Sequence, residues 1–216
     1  MLQQLSYFIG HPEEVMYPVA TILLYPVLIL EGLALLYIVF EFGRFTVEIL
    51  WRDHKRSIAR IEDAAAAARA SIAADKPGYA VTDLAGMNRN WLVKRFIRLL
   101  GTGEDLRRAR LFKLLAETEM LATKRLDRTR MWIRLGPIIG LITTLIPISP
   151  ALVALAAGDL KTLSNNLVIA FSTTVIGLLI SGLAFVMSAT RERLYLLDIS
   201  DIEYALELLG VPDDDR

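Results

Sequence analysis

The chain contains no cysteine and only two histidines, His11 and His54. Disulfides and cysteine-based metal sites are thereby excluded, and two distant histidines are a poor start for a histidine metal site. Residues 1–43 contain no lysine or arginine. A removable leader needs a basic start and a small-residue cleavage site, so none is expected at this N-terminus. Charge is also missing from two long stretches, 135–157 and 167–190, and a third, 17–43, carries only Glu31 and Glu41. Gly101-Thr102-Gly103 lacks the length and the preceding strand of a phosphate loop, which removes a nucleotide-binding reading.

What remains is strongly apolar. Hydrophobic residues make up 54% of the 216, mean hydropathy is +0.44, and 22% of residues are nevertheless charged. That combination suits a membrane protein with a sizeable polar segment. The stretch 135–157 is about 23 residues, or roughly 34 Å as a helix, and crosses a hydrocarbon core of about 30 Å. The stretch 167–190 is equally long. The segment 158–166 between them is too short for a domain and reads as a turn, so the two runs form a membrane hairpin.

Charge is segregated along the chain. Residues 1–43 have four acids and no base, residues 44–134 have 20 Lys/Arg against 11 Asp/Glu, and residues 191–216 have three Arg against eight acids. The positive-inside rule places 44–134 and Arg191/Arg193 in the cytoplasm. The first 16 residues and the 158–166 turn then lie outside. The expected fold is an all-α membrane protein: transmembrane helices at 17–43, 135–157 and 167–190, and long cytoplasmic helical extensions at 44–134 and 191–216. The basic excess lies beside membrane spans without interleaved aromatics, so topology explains it and nucleic acid is not needed.

Along the chain, Pro18 suits a helix start and Pro26 a kink in the first span. Arg44 to Ala74 reads as one helix continuing that span, with Ala64 to Ala68 a run of high helix propensity. Asp75-Lys76-Pro77-Gly78 is a break. A short helix is expected over Thr82 to Leu100, with Trp91, Leu92, Phe96 and Leu99 as its apolar face. Glu104 to Arg134 runs without Pro or Gly into the second span, with Leu111, Leu114, Leu115, Leu121 and Leu126 at helical spacing. Leu194 to Leu209 is amphipathic and should pack on the basic helices. The acidic end, Asp213-Asp214-Asp215, is expected to stay outside any packed core.

The polar residues inside the spans are the candidate functional groups. Thr144 lies ten residues from Arg134 and Thr174 eight from Asn166, so both sit about 12–15 Å into the bilayer. Thr143 and Thr173 complete two Thr-Thr pairs, and Ser172 and Ser181 add further hydroxyls. A single membrane threonine commonly bonds its own i−4 carbonyl and only packs. Two pairs at matched depth, beside the helix-perturbing Pro137, Pro147 and Pro150, point to a polar seam along an ion path. Gly140 and Gly177 allow close helix approach. Glu31 is an ionisable group near the middle of the first span, expected either to handle a proton or contact a partner, or to hydrogen-bond a neighbouring helix as a neutral acid.

Two stretches carry a family resemblance. Leu135-Gly136-Pro137-Ile138-Ile139-Gly140-Leu141-Ile142-Thr143-Thr144 resembles the second-span motif of the MotA/TolQ/ExbB proton-channel proteins. Ala170-Phe171-Ser172-Thr173-Thr174-Val175-Ile176-Gly177-Leu178 resembles their third-span motif, and the order of segments matches over the whole chain. The resemblance implies a homopentamer whose second and third spans line a central pore. It also implies a dimer of MotB/TolR/ExbD-like single-span partners in that pore, each bringing a membrane aspartate. Thr144 and Thr174 match the motif threonines that face that aspartate. Where the ExbB and TolQ branches carry an acid five residues before the third-span threonine, this chain has Ile169. The transported ion is thus left between H⁺ and Na⁺. The cytoplasmic segment matches no flagellar rotor contact, which favours a non-flagellar branch.

The sequence therefore leads to an expected function without enzymatic activity or cofactor. It is the channel-forming subunit of an ion-driven motor in the cytoplasmic membrane, with Pro137, Gly140, Gly177 and Pro147 shaping the pore helices. The rivals are a non-conducting membrane scaffold and a small solute carrier, the latter disfavoured by the lack of an internal repeat among the spans.

Overall fold

The computed structural model describes residues 12–52, 58–87, 90–101 and 107–210, with backbone alone for 12–21 and 77. Residues 1–11 of the expected outside start, Thr102 and Gly103 of the Gly101–Gly103 stretch, Glu104 and Asp105 at the expected start of the next helix, and the acidic tail from residue 211 lie outside the described residues. Among the described residues there are six helices and no strand: α1 Pro12–Leu50, α2 Ile58–Ala73, α3 Pro77–Leu84, α4 Trp91–Leu100, α5 Arg108–Ala156 and α6 Leu160–Leu209. Three of them, over Ile22–Leu50, Arg108–Ala156 and Leu160–Leu209, are long and apolar enough to cross a membrane.

Several boundaries differ from the sequence expectation. The first helix begins at Pro12, before Pro18, and passes Pro26 without interruption. It ends at Leu50 and turns at Trp51 and Arg52, so Arg44 to Ala74 is not one helix. Leaving the helix lets the Arg52 guanidinium bond the Leu194 carbonyl and the Asp198 carboxylate. The helix expected over 82–100 is two, parted around Ala85, Gly86 and Met87. Its buried face is Leu92, Val93, Phe96 and Leu100, while Trp91 and Leu99 are more exposed. Residues 160–166, read as turn, are already helical. Asp159 explains the early start. Its carboxylate accepts from the Thr162 N–H at 3.1 Å and from the Thr162 hydroxyl at 2.6 Å, an N-cap that satisfies first-turn donors. Those bonds hold the Asp159 carboxyl below its usual range.

The chain divides into two compact units. The first comprises residues 1–44 and 129–187, the second residues 45–128 and 188–216.

In the first unit the buried apolar side chains are few and mostly small: Ala34, Ile38, Ile139, Ala151, Ala154, Ala170, Ile180, Ala184 and Met187. Large apolar side chains such as Ile29, Leu33, Leu36, Leu141, Leu145, Phe171, Val175 and Leu178 face outward. Helices whose outer faces are apolar belong in lipid or against other apolar helices. This chain is an integral membrane protein.

The second unit has an ordinary apolar core, with Ile61, Leu84, Leu92, Phe96, Leu111, Leu115, Leu126, Ile199, Ile202 and Leu209 buried together. Asp75 takes a left-handed backbone (φ 56°) between α2 and α3, and Pro77 sits in the first turn of α3. The DKPG break is thus a turn that packs α3 back on α2. The face of α6 that packs here is Tyr195, Ile199, Ile202, Ala205, Leu206 and Leu209. Asp198 and Asp201 are buried on the same face, while Leu194, Leu197, Tyr204 and Leu208 are half-buried.

Candidate functional site

Within the first unit, α5 and α6 approach so closely that glycine is required on both. A methyl group added at Gly136 would lie 2.7 Å from the Gly177 carbonyl oxygen, and one at Gly177 would lie 2.8 Å from the Gly140 Cα. Side chains of any size would force the helices apart. The sequence pointed to Gly140 and Gly177 but not to Gly136, although its four-residue step to Gly140 is the small-xxx-small signal that marks such crossings.

One turn from this crossing the threonines meet. The Thr144 and Thr174 hydroxyl oxygens are 2.5 Å apart. Thr144 also lies 2.6 Å from the Gly140 carbonyl, and Thr174 lies 3.0 Å from the Ala170 carbonyl, towards which Thr144 reaches at 3.4 Å. Each hydroxyl has one proton and two lone pairs. One proton lies between the two oxygens and the other can be directed at a helix carbonyl, so the pair keeps spare acceptor capacity and presents no fixed charge. Both side chains are half-buried, so they remain open to a group outside this single chain.

The neighbouring threonines behave differently. Thr143 donates to the Ile139 and Gly140 carbonyls at 2.9 and 3.0 Å, and Thr173 to the Ile169 and Ala170 carbonyls at 3.1 and 2.9 Å. Both are buried and turned back on their own helices. Ser172 is exposed. The structure thus joins Thr144 to Thr174 and leaves Thr143 and Thr173 outside that pair.

Three prolines lie inside α5 without ending it. Pro137 has no N–H to give the Ile133 carbonyl four residues earlier. The Ser181 hydroxyl of α6 donates to that carbonyl instead, at 2.8 Å. Ser181 was legible only as one more hydroxyl, since its partner is set by the packing of two helices. Pro147 is buried, and by the same rule it leaves the Thr143 carbonyl without its helical donor.

Glu31 is buried with 2% of its surface exposed. It has the Thr143 hydroxyl as a hydrogen-bonding neighbour, and its Oε1 has no partner. It does not join the Thr144–Thr174 pair.

The second unit contains two polar clusters that sequence reading did not find. Glu48 receives both Arg125 amino groups, at 3.4 and 2.9 Å, and the Tyr195 hydroxyl at 3.1 Å, and stands 3.4 Å from Arg191. Arg191 is almost fully buried over the Phe45 ring, and Arg125 lies over Trp91. Burial, reinforced by the Glu48 charge, pushes the Tyr195 phenol well above its usual range. The second cluster pairs Asp198 with Arg52 at 2.5 Å and with the Asn90 amide at 2.8 Å. Burial raises the Asp198 carboxyl above the usual aspartate value, opposed by Arg52 and Asn90. Their members are far apart in sequence, and no spacing rule connects them. Among the described residues no group of His, Asp or Glu is arranged to hold a metal.

Searches among curated proteins and among solved structures return no match. The family model of the MotA/TolQ/ExbB proton channel family matches residues 87–201, more than half of the chain and inclusive of both threonine pairs, and the protein belongs to that family.

Proposed function

We propose that the protein is the channel-forming subunit of an ion-motive-force-driven membrane motor complex. Five copies form a ring in the cytoplasmic membrane, each with its N-terminus outside and its C-terminus in the cytoplasm. The second and third spans line a central pore, which holds a dimer of single-span MotB/TolR/ExbD-like helices carrying a membrane aspartate. Ions, H⁺ or Na⁺, pass between ring and partner, and the gradient is converted into movement of one against the other.

The observation that carries this reading is the Thr144–Thr174 contact, set at mid-span within the family-matched stretch. Two uncharged hydroxyls with free lone pairs can accept a hydrogen bond from a protonated carboxyl, or coordinate a small cation, without holding either permanently. The titrating charge is left to the partner. Gly136, Gly140 and Gly177 keep the two helices close enough for the hydroxyls to act together. The outward apolar faces of the first unit supply surface for lipid and for neighbouring copies. A non-conducting scaffold is the rival, favoured by the way Thr173 bonds only its own helix.

Native mass measurement on the detergent-purified complex tests the reading. Five copies, with a co-purifying single-span protein that has a membrane aspartate, are expected. A monomer or dimer without such a partner would overturn it.

A further inference from the structure

We propose that Glu31, paired with Thr143, is a proton-binding site within the membrane unit, at which a proton is held and exchanged. The site is separate from the Thr144–Thr174 pair. It does not rest on the pore reading, because the proton at Glu31 is a property of the single chain.

The geometry begins with the carboxyl. Glu31 is 2% exposed, its Oε1 is buried without a hydrogen-bond partner, and Thr143 is its polar neighbour. A side chain placed only to tie two helices together would have its oxygens occupied, because each unsatisfied polar atom in hydrocarbon costs several kcal/mol. No counter-charge is available on the facing helices. Residues 135–157 and 167–189 contain no titratable side chain, and the nearest on α1 are Tyr25 and Tyr37, six residues to either side, about 9 Å along the axis. A carboxylate with no cation beside it is stable at that depth only if it takes up a proton.

Thr143 supports the same assignment. Its single hydroxyl proton is directed at the Ile139 and Gly140 carbonyls of its own helix. While that proton stays there, only a protonated carboxyl, which donates, can bond the hydroxyl. Pro147 adds a second acceptor at the same residue, the Thr143 main-chain carbonyl, which has no helical donor. When Glu31 releases its proton, the Thr143 hydroxyl can rotate away from the helix carbonyls and donate to the carboxylate. The carbonyls keep their backbone N–H bonds, so both states have a hydrogen-bond partner. A hydroxyl that donates in one state and accepts in the other makes the proton exchangeable. Oxygen ligands for a bound metal cation are too few here. One carboxyl and one threonine fall short of the six or more that calcium or magnesium requires.

Infrared spectroscopy of the full chain in lipid nanodiscs tests this without the partner. At neutral pH the expected signal is a protonated-carboxyl C=O band that shifts in D₂O, loses amplitude as pH is raised and is missing in Glu31→Gln. Thr143→Val should retain the band but move it to the frequency of a less strongly hydrogen-bonded acid, which assigns it even if Glu31→Gln fails to assemble. Absence of the band in the unmodified protein would overturn the proposal. So would a band that neither exchanges nor titrates, since that marks a purely structural acid. A band unmoved by Thr143→Val would overturn the Glu31–Thr143 pairing.

Discussion

The Ser181 hydroxyl replaces, at the Ile133 carbonyl, the hydrogen-bond donor that Pro137 withholds. A backbone defect on one helix is thus repaired by a side chain on another, and proline and serine form a functional couple though they never bond each other. Ser181→Ala should destabilise the membrane unit by about 0.6 kcal/mol, the average for hydrogen bonds between membrane helices, and by no more than about 1.7 kcal/mol. Pro137→Ala restores the helical N–H, so in that background the Ser181→Ala penalty should shrink towards zero. A double-mutant cycle on unfolding in detergent measures it, and purely additive costs would refute the couple.

Close approach of α5 and α6 predicts a steric cost at one glycine and none at another. Gly177→Ala sets a methyl group 2.7 Å from the Gly136 carbonyl oxygen. Separation of the backbones should destabilise by about 1–3 kcal/mol, as overpacking does. Gly182→Ala, with nothing within 4 Å of the added carbon, is the control and should leave the unfolding midpoint where it was. Equal effects at the two sites would show that helix propensity, not contact, sets the result.

Thr174→Val is nearly isosteric and removes one member of the Thr144–Thr174 pair. Copy number in the purified complex should be unchanged, while ion-driven work by the complex with its partner should be abolished. Thr173→Val, altering a hydroxyl that bonds only carbonyls of its own helix, should retain most activity. Full activity in Thr174→Val would remove that residue from the ion path.

Asp198 makes the stability of the second unit depend on pH. Burial raises its carboxyl above the usual 3.8, with Arg52 and Asn90 opposing. The folded chain then binds the proton more tightly than the unfolded one. The resulting stabilisation is full below the unfolded value and is lost as pH rises through the folded value. Asp198→Asn should flatten the slope of melting temperature against pH upward of about pH 3.8. An unaltered slope in calorimetry would assign the acid response to other carboxyls.

Much of the architecture was legible in the order of residues. Apolar run length identifies three candidate spans because a helix rises by a constant amount per residue. The paired threonines and two of three crossing glycines were also visible, since helical spacing places them at matched depth. Element ends were less legible. Asp159 starts α6 seven residues early, and Arg52 leaves α1 to reach Asp198, through contacts that no local propensity encodes.

What the linear sequence determined about this protein is that it is helical, crosses a membrane and places hydroxyls where charge is costly. Only tertiary packing decided which hydroxyls meet. Thr144 and Thr174 touch while Thr143 and Thr173 turn back, because adjacent residues on a helix point about 100° apart and the crossing at Gly136, Gly140 and Gly177 selects one direction. The same is true of Glu48 with Arg125 and Arg191, of Ser181 with Ile133, and of Glu31 with Thr143. Each joins segments whose separation along the chain carries no information until the helices pack.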